Sequence, residues 1–318
     1  MKRLVSELPW QAWFVTLGAI WGCSFLFIKL GLESFTPFQV AFGRLAIGAL
    51  VLLAISAATG TGLPRRAQTW RHLVVTALLF CSIPFVLFAW GETQVSSILA
   101  GIINACTPLT TLLVVLVAFP EERPTRDRIL GLAVGFAGVL VVVGAWEGLG
   151  GGELAGVLAC LGAVSCYGVA WPYTRRHLVG TGDGPISIAT GQVLLGALFL
   201  LPLVAVQAVL GGGAVTFPVS AATIVAMLAL GGLGSGVAYV LSTHIVAVAG
   251  GTVASSVTYV TPLFAVGAGF LLLNEPLSWH QPIGGAIVLA GVALSQGRLR
   301  LGGSRTPTVV VERVAPDS

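Results

Sequence analysis

Ten apolar runs divide the chain, at residues 12 to 32, 38 to 58, 71 to 90, 96 to 118, 129 to 146, 153 to 175, 186 to 208, 222 to 244, 251 to 273 and 280 to 297. Each is about long enough to cross a hydrocarbon layer of ~30 Å. In lipid the backbone must satisfy its own polar groups, which leaves helices as the structure such runs can form. A water-soluble core is excluded on the same sequence: 56% of the residues are hydrophobic and 9% charged, whereas soluble domains carry roughly 25% charged residues. The sequence therefore predicts an all-α integral membrane protein with ten transmembrane helices, its main partner the lipid bilayer.

The 42 glycines lie largely inside these runs, where spacings such as Gly18-x-x-x-Gly22 and Gly131-x-x-x-Gly135 read as small-residue packing faces. The five cysteines, Cys23, Cys81, Cys106, Cys160 and Cys166, fall within the runs at no ligand-like spacing. Buried reduced thiols are expected, with no disulfide and no metal site. The start, MKRLVSELPWQAWF, has no small-residue cleavage site, so the first run reads as a retained helix. Residues 298–318 carry Pro and charge without periodicity and read as a disordered cytoplasmic tail.

Basic residues orient the helices. With the N-terminus inside, fourteen of the sixteen Lys and Arg fall in cytoplasmic segments, the exceptions being Lys29 and Arg44. The positive-inside rule then puts both termini in the cytoplasm of a cell with this protein in its inner or plasma membrane. The net charge of +4 carries no implication of nucleic acid.

The chain also repeats itself. AFGRLAIGALVLL at 41–53 and ATGQVLLGALFLL at 189–201 agree at seven of thirteen positions. Trp21-Gly22 with Lys29 corresponds to Tyr167-Gly168 with Arg175, Thr107-Pro108-Leu109 to Thr261-Pro262-Leu263, and Glu122, Gly131 and Gly138 to Glu275, Gly284 and Gly291. A unit of five helices, being odd in number, re-enters the membrane from the opposite side. Residues 1–147 and 148–297 thus read as two inverted five-helix repeats, the pattern of secondary transporters that bind substrate near the midplane and alternate access.

These residues resemble a known family. WGCSFLFIK in the first run, the Pro37 to Arg44 spacing, the paired Thr-Pro-Leu and the paired Glu-then-Gly pattern are similar to the EamA-type ten-helix exporters of the drug/metabolite transporter (DMT) superfamily. The resemblance covers residues 12 to 297. It implies a fold of two five-helix inverted repeats and export of amino acids or other small metabolites. Tyr167 stands where that family commonly has tryptophan, and Asn104 where it has apolar or small residues.

Candidate substrate contacts follow from helix-breaking and from polar residues at depth. Pro108 and Pro262 each remove an N–H and block the carbonyl four residues earlier, at Asn104 and Thr258. A loose carbonyl in lipid costs several kcal/mol, so these two positions face protein, water or ligand, and they lead the substrate-binding candidates. Trp21 and its mate Tyr167 lie mid-run, while Trp10, Trp13, Trp70, Trp90, Trp146, Trp171 and Trp279 lie near run ends as an aromatic belt. Tyr239 and Tyr259 are further aromatic candidates. Arg44, deep in the second run, is suited to a carboxylate, and its near-twin Gln192 makes the two mouths electrostatically unequal. Lys29 reads as a structural residue that snorkels and pairs with Glu33, His244 as an interface residue, and Glu122 and Glu275 as capping or gate residues. No acidic residue lies at mid-depth, so proton coupling has no support in the sequence.

Other classes fare less well. An ATP-driven pump needs a phosphate-binding G-x-x-x-x-G-K-[ST], and the only lysines are Lys2 and Lys29. An enzyme using Ser235 and His244 fails because nine residues along one helix leave them ~13 Å apart on opposite faces. Phosphorylated cargo needs several deep cations. The sequence thus indicates a secondary exporter of amino acids or related metabolites, without cofactor, with drug-like efflux or a non-transporting assembly role as the alternatives. Oligomeric state is left open.

Overall fold

The computed structural model describes residues 10–118, 125–146, 151–178, 181–211, 213, 215–249, 256–295 and 299, and all regular structure among them is helical. In chain order the helices are α1 (Trp10–Gly31), α2 (Pro37–Thr59), α3 (Ala67–Gly91), α4 (Ser97–Asn104), α5 (Thr107–Ala118), α6 (Arg126–Val143), α7 (Gly151–His177) and α8 (Pro185–Val209). Then come α9, made of Ala221–Gly231, a π-helical turn Gly232–Val237 and Ala238–Ala249, α10 (Thr261–Leu272) behind a 3-10 turn Ser256–Tyr259, and α11 (His280–Ser295). Within the Gly-rich EGLGGGE segment, the described residues from Gly151 onward are helical.

Local chemistry places the boundaries. Thr36 accepts from Gln39 N–H while the Gln39 side chain accepts from Thr36 N–H, a reciprocal cap completed by Pro37 at the first helical position. The same helix stops at Gly60, whose φ of 67° is the left-handed conformation that glycine adopts without cost. In the fourth run the chain breaks instead. Pro108 ends the ladder, and Thr107 Oγ1 donates to Asn104 O at 2.8 Å. The carbonyl predicted to be loose is therefore taken by the neighbouring hydroxyl.

Among the described residues seven helices are long and apolar enough to cross a membrane: those spanning Trp10–Gly31, Pro37–Thr59, Ala67–Gly91, Ser97–Val114, Gly151–His177, Pro185–Val209 and Ala221–Ser242. Of the three remaining runs, α6 opens on the charged Arg126, Asp127 and Arg128, and those around α10 and α11 form shorter apolar helices, Val257–Leu272 and His280–Ser295. Large apolar side chains such as Leu50, Leu140, Leu203 and Leu271 point outward from the bundle, an arrangement that water penalises and lipid does not.

The helices pack by close approach at glycine. An added Cβ at Gly131 would sit 2.6 Å from the Gly291 carbonyl, and one at Gly291 2.7 Å from the Gly131 carbonyl. Likewise Gly138 faces the Gly284 carbonyl at 3.0 Å and Gly284 the Gly138 carbonyl at 2.9 Å. Backbones this close leave no room for a side chain, which is how α6 and α11 gain dispersion contact without a hydrophobic driving force. Elsewhere α1 lies on α10 through Gly22 and Thr261, and α7 lies on α5 through Gly168 and Thr110. Helices α2 and α8 pack directly on each other.

Candidate substrate cavity

Helices α1, α2, α3, α7, α8 and α9, with the breaks after Asn104 and at Thr258, surround a cavity of about 430 Å³. That is within the range of small-molecule sites. Two π-helical turns, Leu78–Ser82 in α3 and Gly232–Val237 in α9, flank it. Each inserts one residue into its ladder and so re-aims the side chains that follow. Phe80 and Phe85 reach the cavity from the first of these helices, and Tyr239 and Ser242 from the second.

The wall is mainly aromatic. Phe25 and Phe88 meet edge to face with centroids 5.4 Å apart, Phe88 and Tyr167 lie at 6.1 Å, Phe80 and Tyr167 at 5.8 Å, and Phe80 and Trp171 edge to face at 5.0 Å. Trp21 fixes its indole by donating from Nε1 to Gly234 O at 3.3 Å. The ring faces present a continuous apolar, weakly electronegative surface.

Into this surface comes one cation. Arg44 is 7% exposed, its guanidinium carbon lies 3.7 Å from the centre of the Phe85 ring, and its Nε donates to Ser235 Oγ at 2.9 Å. Stacking and one hydrogen bond hold the plane of the group. Its two terminal amino groups donate to no protein acceptor among the described residues. Such a charge in an apolar site needs water or an anion opposite it, and a guanidinium edge matches a carboxylate. Around the same cavity Gln192 Nε2 donates to Cys81 Sγ at 3.6 Å, and that thiol lies 3.5 Å from the Tyr239 hydroxyl. The Asn104 side chain lines the cavity and makes no hydrogen bond among the described residues. At the far end, in the connection between α7 and α8, Asp183 accepts from Thr69 Oγ1 at 2.6 Å and from Arg65 N–H at 3.3 Å. This ties the connection to the start of α3.

Comparison with known proteins now bears on what the cavity is for. The model of the EamA-like transporter family matches residues 8–144 and again residues 154–296. The chain belongs to the EamA-like transporter family. It is a multi-pass membrane protein of that transporter family, in the drug/metabolite transporter superfamily. It is similar to an uncharacterized transporter of Archaeoglobus fulgidus, 28% identical over 88% of this chain and 94% of that one. It is also similar to a probable terminal-alkyne amino-acid exporter of Streptantibioticus cattleyicolor, 28% identical over 92% and 95%. The uncharacterized inner membrane transporter YedA of Escherichia coli K12 is 26% identical over 93% and 94%. A solved crystal structure, 21% identical, shares the fold with a TM-score of 0.59 over 90% of this chain and 98% of that chain.

Of the residues that sequence singled out in this EamA-like transporter, Asn104, Thr258, Trp21, Tyr167, Arg44, Tyr239 and Gln192 all line the one cavity. Arg44 and Gln192 thus both line this cavity. Tyr259 does not line the cavity; it packs on the main apolar core. His244, near the end of α9, is half-buried and also outside the lining. Lys29 does not pair with Glu33; its ammonium donates to the backbone carbonyls of Glu92 at 2.6 Å and Val95 at 3.0 Å. Glu275 caps α4, accepting from Ser97 N–H, Ser97 Oγ and Ile98 N–H at 2.9, 2.9 and 3.0 Å, and Glu122 lies outside the described residues. All five cysteines are free thiols. Trp171, expected in an aromatic belt, belongs to the cavity wall, because α7 continues to His177 and carries it inward. Sequence reading missed Phe80, Phe85 and Phe88, and it weighed Ser235 only as a nucleophile, not as a partner of Arg44. The only signals for them were the i, i+3 pair of phenylalanines behind Pro84 and the GLGSG segment that forms the second π turn.

Proposed function

We propose that the protein is a secondary transporter of two inverted five-helix repeats that exports amino acids or related small carboxylated metabolites by alternating access. The observation that carries this reading is buried Arg44, stacked on Phe85, held through Nε by Ser235 and lining an aromatic-walled cavity. One cation suits one carboxylate. Ring faces suit an apolar side chain and, through cation–π attraction, an α-ammonium.

Three further observations support the repeat. The family model matches the chain twice, at 8–144 and 154–296. The glycine contacts are reciprocal, since Gly131 and Gly284, equivalent in the repeat, face Gly291 and Gly138 respectively, as a two-fold axis requires. The π turns likewise fall at equivalent places, with Ser82 and Ser235 at matching positions. Export and an amino-acid cargo are supported by the relative whose name is a probable terminal-alkyne amino-acid exporter. Orientation with both termini in the cytoplasm is supported by the basic-residue distribution.

The test is counterflow in proteoliposomes of the full chain, with amino acids, the matching amines that lack the carboxylate, and neutral aromatic compounds as the panel. Exchange of amino acids and none of the amines is the expected result; equal exchange of both sets aside the role of Arg44, and no flux with any member sets aside transport. The aromatic wall alone favours a second reading, efflux of uncharged drug-like compounds. Flux of the neutral compounds that persists in Arg44→Gln is its signature.

A further inference from the structure

The short connection between α3 and α4, residues 92 to 96, carries a carboxylic acid that the cavity chemistry does not use. Glu92 follows the last residue of α3, its N–H donating to Phe88 O at 2.9 Å. Its side chain is 0% exposed, and neither carboxyl oxygen has a hydrogen-bond partner among the described residues. The groups that face it are Lys29 from α1, Arg44 from α2, Cys160 from α7 and Glu275 from the segment before α11. None forms an ion pair with it among the described residues. Lys29 directs two of its three N–H groups to the Glu92 and Val95 carbonyls, and Glu275 is held by the first N–H groups of α4.

An ionised carboxylate here would lack both water and donors, a cost of several kcal/mol that a group escapes by taking up a proton. Burial pushes the Glu92 carboxyl well above the usual carboxylate range, against the pull of Lys29 and with a further push from Glu275. The shut geometry is otherwise complete. Lys29 clamps the connection through two carbonyls, while Gln94 and Val95 N–H groups close onto Gly91 O at 2.8 and 3.0 Å.

We propose that Glu92 is a proton-binding site that holds its proton while the 92–96 connection is clamped by Lys29 and gives it to water when the connection opens. No other group changes: the carboxyl O–H bond breaks, the proton leaves on water, and the carboxylate becomes hydrated. Because the shut form has the raised affinity for the proton, it is favoured at low pH and lost as pH rises. Above the pH at which an open, hydrated carboxyl ionises, and below that of the shut form, one proton makes the open-to-shut ratio rise up to tenfold per pH unit. The connection is thus a proton-linked gate, a coupling that goes beyond the export reading and does not depend on the identity of the cargo.

Two readouts on the full-length protein in bilayers test it. Infrared difference spectra of wild type at neutral pH should show a protonated carboxylic C=O band that disappears in Glu92→Gln and returns in Glu92→Asp. Hydrogen exchange over residues 92 to 99, corrected for the intrinsic pH dependence, should rise up to tenfold per pH unit in wild type and stay flat in Glu92→Gln. A wild-type spectrum without that band, or equal pH slopes in the two proteins, overturns the proposal. Should Glu92→Gln not fold, the wild-type infrared titration decides by itself. Neither readout uses a transported compound, so failure here leaves the export reading standing.

Discussion

In the seam between α6 and α11, Gly131, Gly138, Gly284 and Gly291 bring two backbones into contact through the same residue at each corresponding place. Where α2 meets α8 the corresponding places hold different residues, Arg44 and Gln192, and both reach one cavity. On the proposed inverted repeat, the seam demands identity because a contact made twice about a two-fold axis must fit itself. The cavity demands difference. Two arginines there would bury two like charges among aromatic rings, whereas one arginine and one amide leave a single cation for a single anion. The lesson of the proposed repeat is that its halves agree where they make scaffold and diverge where they line the candidate cavity.

Breaking the seam should have the largest effect. Gly291→Leu drives a side chain into the Gly131 carbonyl and the α6 backbone, an overpacking cost of roughly 1–3 kcal/mol or more; loss of the monodisperse folded species in detergent, with Gly267→Leu retaining it because nothing lies near that position, is the result to look for. Next comes Arg44→Gln, which makes the two positions alike. Removing a charge-assisted contact worth about 1.5–3 kcal/mol should cut amino-acid counterflow roughly 10- to 100-fold while thermal stability in detergent holds; undiminished counterflow would show that the asymmetry has no chemical role. Ser235→Ala leaves the cation and removes the hydroxyl that fixes its Nε. A loss of about 0.5–1.5 kcal/mol predicts a few-fold rise in the concentration for half-maximal exchange, with the maximal rate little changed. Gln192→Ala removes only a long contact to the Cys81 thiol, so counterflow within about twofold of wild type is expected; an effect matching Arg44→Gln would end the distinction between the two sites.

Much of the fold was legible in residue order because its causes are local. Hydropathy sets where helices cross, Thr36 and Gln39 set a start, Gly60 sets a stop, and Pro108 sets a break within one turn of itself. The deep polar and aromatic candidates were legible too, since lipid makes any such residue conspicuous, and Trp21, Arg44, Asn104, Tyr167, Tyr239 and Thr258 do share one cavity. Partners were not. Lys29 pairs in sequence with Glu33 four residues on, yet in space it meets carbonyls 63 and 66 residues away. Trp171 stands near a run's end by hydropathy but inside the wall by helix length.

Glu92 marks the boundary most clearly. By sequence it is an acid in a short connection just past an apolar run, the place where a charge is solvated at no cost. In the fold, α1, α7 and the segment before α11 close over it, while Lys29 donates to backbone carbonyls and the Ser97 N–H donates to Glu275 instead. The residue order by itself determined a multi-pass helical membrane protein with its candidate site residues at a few deep positions, because lipid punishes polarity one residue at a time. Only the tertiary structure decided which of those positions share a cavity and which acid loses its water, because burial and pairing depend on segments far apart in the chain.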